Sequence, residues 1–82
     1  MITGSQIRAA RNALRWTTEM LAKRSGVVSR TVKRMEAYDG VPNSNSRTLL
    51  EMQSAFEASG IEFIGSPDDG PGIRIRPVPS KG

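Results

Sequence analysis

This chain predicts a mainly α-helical fold closed by a short β-hairpin. Apolar residues recur at helical spacing in four segments before Gly60. Turn formers separate those segments, notably at Gly26, at Asp39-Gly40 and in the stretch VPNSN at 41–45. Beyond Gly60 the period falls to two, in IEFI at 61–64 and IRIR at 73–76. With 82 residues the chain makes one small domain. It divides into a helical part over 1–60, a hairpin over 61–76 that is structural or dimerising, and a flexible tail over 77–82.

The elements follow in order. Thr3 and Gln6 stand three apart before a helical run, the spacing of a capping box. Ile7, Ala10, Ala13 and Leu14 carry the first helix from about Gly4 to Leu14, and Arg15-Trp16 links it to the second. Thr17 is a good N-cap for that second helix, with Glu19 favourable in its first turn. It ends near Ser25, because Gly26 can take the positive φ a tight turn needs. The third helix covers roughly Ser29 to Tyr38. Asn45 or Ser46 caps the fourth, whose apolar face is Leu49, Leu50, Met52 and Phe56, with Gly60 as its stop. GSPDDGPG then reads as a long loop between two strands. Ile61 with Phe63, and Ile73 with Ile75, give the hairpin one apolar face, while Arg74 and Arg76 face solvent. Pro71 and Pro77 limit pairing along its edge.

Composition excludes much. There is no cysteine, hence no disulfide and no thiolate metal site, and no histidine, the commonest general base and metal ligand. Asp68-Asp69 sit in a Gly/Pro stretch that suits a solvated turn better than catalysis. An enzyme is not expected, and no cofactor, metal or small-molecule ligand is evident. No apolar run approaches the roughly 20 residues that span a membrane, and the N-terminus lacks a signal-peptide pattern, so a cytoplasmic setting is expected. The net charge of +4 is unevenly placed. Up to Gly40, eight basic residues face three acidic ones. Beyond it, four face five. A basic half joined to a near-neutral half suggests a polyanion-binding face on a separate scaffold, although a solvated basic surface would look the same.

The most informative stretch is MLAKRSGVVSRTVKRME at 20–36. Leu21, Ala22, Val27, Val32 and Met35 are spaced to meet inside the corner between the second and third helices. Val28, Ser29, Arg30, Lys33 and Arg34 remain outside it. A helix that buries one stripe and shows short polar and basic side chains on the other suits the DNA major groove. Arg30 and Arg34, four apart on one face, can each contact guanine O6 and N7, or can lie over phosphates or pair with acids.

The stretch RWTTEMLAKRSGVVSRTVKRMEAYDGVPNSNSRTLLEMQSAFEASGIEFI resembles the Xre/Cro-like helix-turn-helix family of bacterial and phage transcriptional regulators. It is most similar to the small members that add a strand like GIEFI and one like PGIRIR, and the likeness covers about residues 2–76. Coinciding offsets carry it: Leu21-Ala22, Gly26, Val32, Met35-Glu36, the turn at Gly40 and RTLL. The resemblance implies a lambda-repressor-like bundle of four or five helices, with the second helix across the DNA backbone and the third in the major groove. It implies base reading by Ser29, Arg30 and Arg34, with Lys33 nearby and favouring the backbone. It implies phosphate contacts from Thr17, Thr18, Asn43, Ser44, Asn45 and Arg47. Glu36 closes a structural contact in such proteins, and Trp16 is expected to pack between the first and fourth helices.

The chain departs from the family pattern at three places. Val28 stands where relatives have serine or threonine as the cap of the third helix. Either that helix starts one residue later, with Ser29 as cap and lost to base reading, or Val28 reaches the groove and touches a thymine methyl. Arg15 stands where many relatives have glycine. A left-handed backbone there costs about 1 kcal/mol. Met20 stands where relatives often have a glutamate that pairs with the first-helix arginine, which leaves Arg11 to meet DNA. The implied function is a sequence-specific transcriptional regulator, most simply a repressor that binds an inverted repeat as a dimer through the hairpin or fourth helix. The alternative is an antitoxin-like or other protein-interaction module. Only about six residues follow the hairpin, few for a segment that orders on a toxin.

Overall fold

The computed structural model describes residues 1–76. The flexible tail expected over 77–82 lies outside the described residues. Four helices are followed by one antiparallel hairpin: α1 Gly4–Ala13, α2 Thr18–Ser25, α3 Ser29–Glu36, α4 Ser46–Glu57, β1 Ile61–Ser66 and β2 Asp69–Ile75. The predicted third helix is thus two residues too long. Among the described residues no helix is long and apolar enough to cross a membrane.

The capping box forms as its spacing requires. The Gln6 amide donates to Thr3 Oγ1 at 3.1 Å, and the Thr3 amide donates to Gln6 Oε1 at 2.8 Å. Gln6 also does something its sequence position did not reveal. Its side-chain nitrogen donates to the carbonyls of Ile64 at 3.1 Å and Gly72 at 2.8 Å. A buried amide therefore stitches the start of α1 to both strands, and each of its polar atoms is satisfied.

The corner residues Leu21, Val27, Val32 and Met35 are buried together with Ile2, Ile7, Ala10, Leu49, Met52 and Phe56, and Ala22 packs against them. Phe56 joins the two halves. Trp16 stacks on it from one side, centroids 5.7 Å apart at 16°, and Phe63 of β1 meets it edge-on at 5.8 Å and 72°. Trp16 is the packing residue its position suggested, with the Arg24 guanidinium 4.8 Å from its ring centroid. Two apolar positions were misassigned. Leu50 is 56% exposed and Ala13 is exposed, because each lies just off the buried stripe of its helix.

The hairpin turn is tight, not long. Ile61 pairs with Ile75, Phe63 with Ile73 and Ser66 with Asp69, so only Pro67 and Asp68 remain as the turn. The register shifts between Ile64 and Ser66, where Gly70 and Pro71 of β2 stand against the single Gly65 of β1, so β2 carries the extra residue and the glycine-rich stretch joins the ladder. The apolar face exists, but it is unevenly covered: Ile61 is buried and its cross-strand partner Ile75 is 63% exposed. Arg76 and Arg74 bond Glu62 across the strands and hold its carboxyl below its ordinary value of 4.5, chiefly through the Arg76 hydrogen bond. Whatever this pair adds to stability is present above that value and fades as pH falls through the lowered one.

Two backbone features fix the helix ends. A β-carbon at Gly4 would stand 1.9 Å from the Tyr38 carbonyl oxygen, so only glycine lets α1 start against the end of α3. At the other end of α1, Arg15 has φ 58°. Its amide bonds the Asn12 carbonyl and the Trp16 amide bonds the Arg11 carbonyl, which is a Schellman closure with arginine in the left-handed place. Arg15→Gly should therefore stabilise the protein by about 0.5–1 kcal/mol, read from urea midpoints at constant m. A destabilised variant would show that the arginine side chain, not the backbone, decides this position.

Candidate nucleic-acid interface

The outward face of α3 depends on the turn before it. Gly26 takes φ 77° and closes α2 through its amide to the Ala22 carbonyl. The Ser25 hydroxyl donates to the Leu21 carbonyl at 2.7 Å and accepts the Val27 amide at 3.2 Å, a bridge through the turn that spacing arguments missed. Val27 then goes inward. Val28 is the N-cap itself, in extended conformation and with no side-chain cap bond, and Ser29 is the first helical residue. Of the two alternatives at this position, Ser29 as cap is overturned. Val28 projects from the start of α3 at 66% exposure, and Ser29 keeps its side chain for other work.

Along α3, Val32, Met35 and Glu36 are buried, while Arg30, Lys33 and Arg34 are exposed. The buried carboxylate is what a sequence reader would question, and Arg11 answers it. Arg11 Nε donates to Glu36 Oε2 at 2.8 Å and Nη2 to Oε1 at 3.0 Å, while Nη1 donates to the Trp16 carbonyl at 2.9 Å. The Glu36 hydrogen bonds raise the Arg11 pKa further above its ordinary value. The expectation that Met20 releases Arg11 to meet DNA is therefore wrong. Arg11 is held by Glu36, in a two-pronged pair that leaves its side chain 19% exposed. Arg8 reinforces the same end of α3, donating to the Glu36 carbonyl and reaching the Asp39 carboxylate at 2.9 Å.

Several expected phosphate-contact residues border this face. Glu19, in the first turn of α2, lies 3.9 Å from Lys33 of α3. Its carboxyl sits below the usual range because its own backbone amide and the Thr18 hydroxyl donate to it, with the charges of Lys33 and Arg11 adding. Thr17 Oγ1 accepts the Met20 amide at 3.0 Å as N-cap of α2. On the other flank Arg34 donates to the Asn43 carbonyl at 2.9 Å and to Ser44 Oγ at 3.0 Å. Asn45 caps α4 through the Thr48 amide at 2.8 Å. The structure thus brings Thr18, Lys33, Arg34, Asn43 and Ser44 around α3. Arg47 stands apart from these contacts: it pairs with Glu51 at 3.5 Å and lines a groove of about 690 Å³ between α2 and α4, with Arg24 and Leu50. Arg30 has no hydrogen bond or ion pair among the described residues.

This arrangement places cations and hydroxyls together on the exposed side of α3. Among the described residues no group of His, Cys, Asp or Glu is placed to hold a metal ion. Compared with known proteins, the chain matches no family model and no curated protein.

Breaking the clamp behind α3 should be costly. Arg11→Ala leaves a buried carboxylate unpaired and should destabilise the fold by about 3 kcal/mol, whereas Arg11→Ala with Glu36→Gln should recover part of that loss. Urea denaturation of the single and double variants measures both. Strictly additive losses would mean that the two side chains are not coupled.

Proposed function

We propose that this protein is a sequence-specific DNA-binding transcriptional regulator of the helix-turn-helix kind, with α3 in the major groove. One observation carries the reading. α3 is pinned from behind by Arg11 and Arg8, and its free face presents Val28, Ser29, Arg30, Lys33 and Arg34 between the start of α2 and the loop before α4. A short helix held rigidly at its back and basic at its front matches the width of the major groove. Thr17, Thr18, Lys33, Asn43, Ser44, Asn45 and Arg47 take the phosphates, and Val28, Ser29 and Arg30 meet base edges. The lambda-repressor-like family assignment belongs to this proposal, resting on the sequence motifs and on the four-helix, one-hairpin order.

The short α3 can touch few base pairs, so two copies on an inverted repeat are the natural binding unit, with half-sites about 34 Å apart. Repression by occupancy of such an operator, in the cytoplasm and without enzymatic activity, is the simplest role. A protein-interaction or antitoxin-like role stands as the second reading, favoured by the exposed Leu50 in the groove between α2 and α4.

Titration of duplex DNA at several salt concentrations tests the main reading. If each subunit neutralises about four phosphates, the dimer's log affinity should fall against log salt with a slope near −7. Thr18→Ala should weaken all sequences alike. Arg30→Ala should lose about 1–3 kcal/mol of discrimination at one base pair per half-site. Salt-independent binding, or an Arg30→Ala variant with unchanged base preference, would contradict the assignment.

A further inference from the structure

The loop from Ala37 to Asn45 is anchored at both ends without help from the outer face of α3. At its start, Arg8 holds the Asp39 carboxylate, the Ser5 hydroxyl donates to the Asp39 carbonyl at 2.9 Å, and the Gly4 amide donates to the Gly40 carbonyl at 2.9 Å. At its end Asn45 is fixed as the cap of α4. Between these points Pro42 is buried, and the Ser44 amide folds back onto the Pro42 carbonyl at 2.9 Å. The tie from α3 to this middle section is Arg34. Two different nitrogens of its guanidinium donate to the Asn43 carbonyl and the Ser44 hydroxyl.

The three cations of α3 are therefore not equivalent. Lys33 is turned toward Glu19, Arg34 toward the loop, and Arg30 toward neither. An Arg34 that reached a guanine would give up both loop bonds and release the segment expected to meet phosphate. A lysine could not replace it, because an ammonium lacks the planar fork that engages two acceptors set apart.

We propose that Arg34 is a positioning residue. It locks Asn43 and Ser44 against α3 so that the loop meets the DNA backbone at the edge of the groove, and among the α3 cations it leaves base reading to Arg30. This rests on the DNA-binding reading above and divides the labour within it. The bonds lie on the protein surface, so their loss frees the loop without unfolding the domain.

The test pairs amide hydrogen exchange at Ser44, whose amide bonds the Pro42 carbonyl, in the free protein with binding to a panel of duplexes that differ by single base pairs. Arg34→Ala and Arg34→Lys should both speed exchange at this amide by about 3- to 10-fold. Both should weaken every duplex by a similar factor, and Ser44→Ala should add little on top of Arg34→Ala. Arg34→Lys separates position from charge, since it keeps the charge and loses the fork. Two results would overturn the proposal: exchange that does not change in Arg34→Ala, or a loss of discrimination confined to one base pair in either Arg34 variant. Wild-type protein that binds no duplex overturns the DNA reading itself, and this is visible before any variant is compared.

Discussion

The pair between Arg11 and Glu36 is the constraint on which the rest depends. A carboxylate near the end of α3 is buried, and an unpaired charge there would be untenable. The two-pronged bond from Arg11 resolves that problem and sets where α3 lies against α1. The third nitrogen of Arg11 reaches the Trp16 carbonyl, which places Trp16 at the head of the link into α2 and against Phe56 of α4. One guanidinium thus relates α1, α3 and the α1–α2 link. With the back of α3 fixed this way, its front is left for other molecules.

The hairpin is fastened by a second polar device. Gln6 completes the cap of α1 with one end of its amide and bonds Ile64 and Gly72 with the other. Phe63 and Ile61 then complete the apolar side of α4. A two-stranded ribbon alone is marginal in water, so this hairpin owes its order to the helices. Ile75 stays uncovered although its cross-strand partner Ile61 is buried.

Much of this was legible in the chain. Periodicity and capping chemistry located all four helices to within two residues, and Gly26 announced the left-handed turn it makes, whereas the one at Arg15 was suggested only by the glycine of similar proteins. The departures have separate causes. The hairpin turn was misjudged because proline and glycine signal a turn without saying which of several residues pair, and the bulge of Gly70 and Pro71 against Gly65 hid the register. Arg11 was misread because the partner of a charged side chain is a tertiary fact. Met20 removed one partner, and although the resemblance gave Glu36 a structural contact, nothing local named its partner as Arg11, twenty-five residues away. The roles of Gln6 toward the hairpin and Arg34 toward the loop were invisible for the same reason. Leu50 was assigned to the core because four apolar residues on a helix do not say how wide the buried stripe is.

The functional account joins a rigidly backed basic helix to flanking hydroxyls and loop groups, with recognition at the front of α3 and stability held behind it. Its central claim is that this face reads DNA sequence rather than polyanion charge alone. Selection of bound sequences from random duplex DNA at about 150 mM salt tests that claim most directly, since non-specific contacts weaken steeply with salt. The account predicts enrichment of an inverted repeat whose half-site centres lie one helical turn apart. Binding at low salt with no enriched sequence would contradict it.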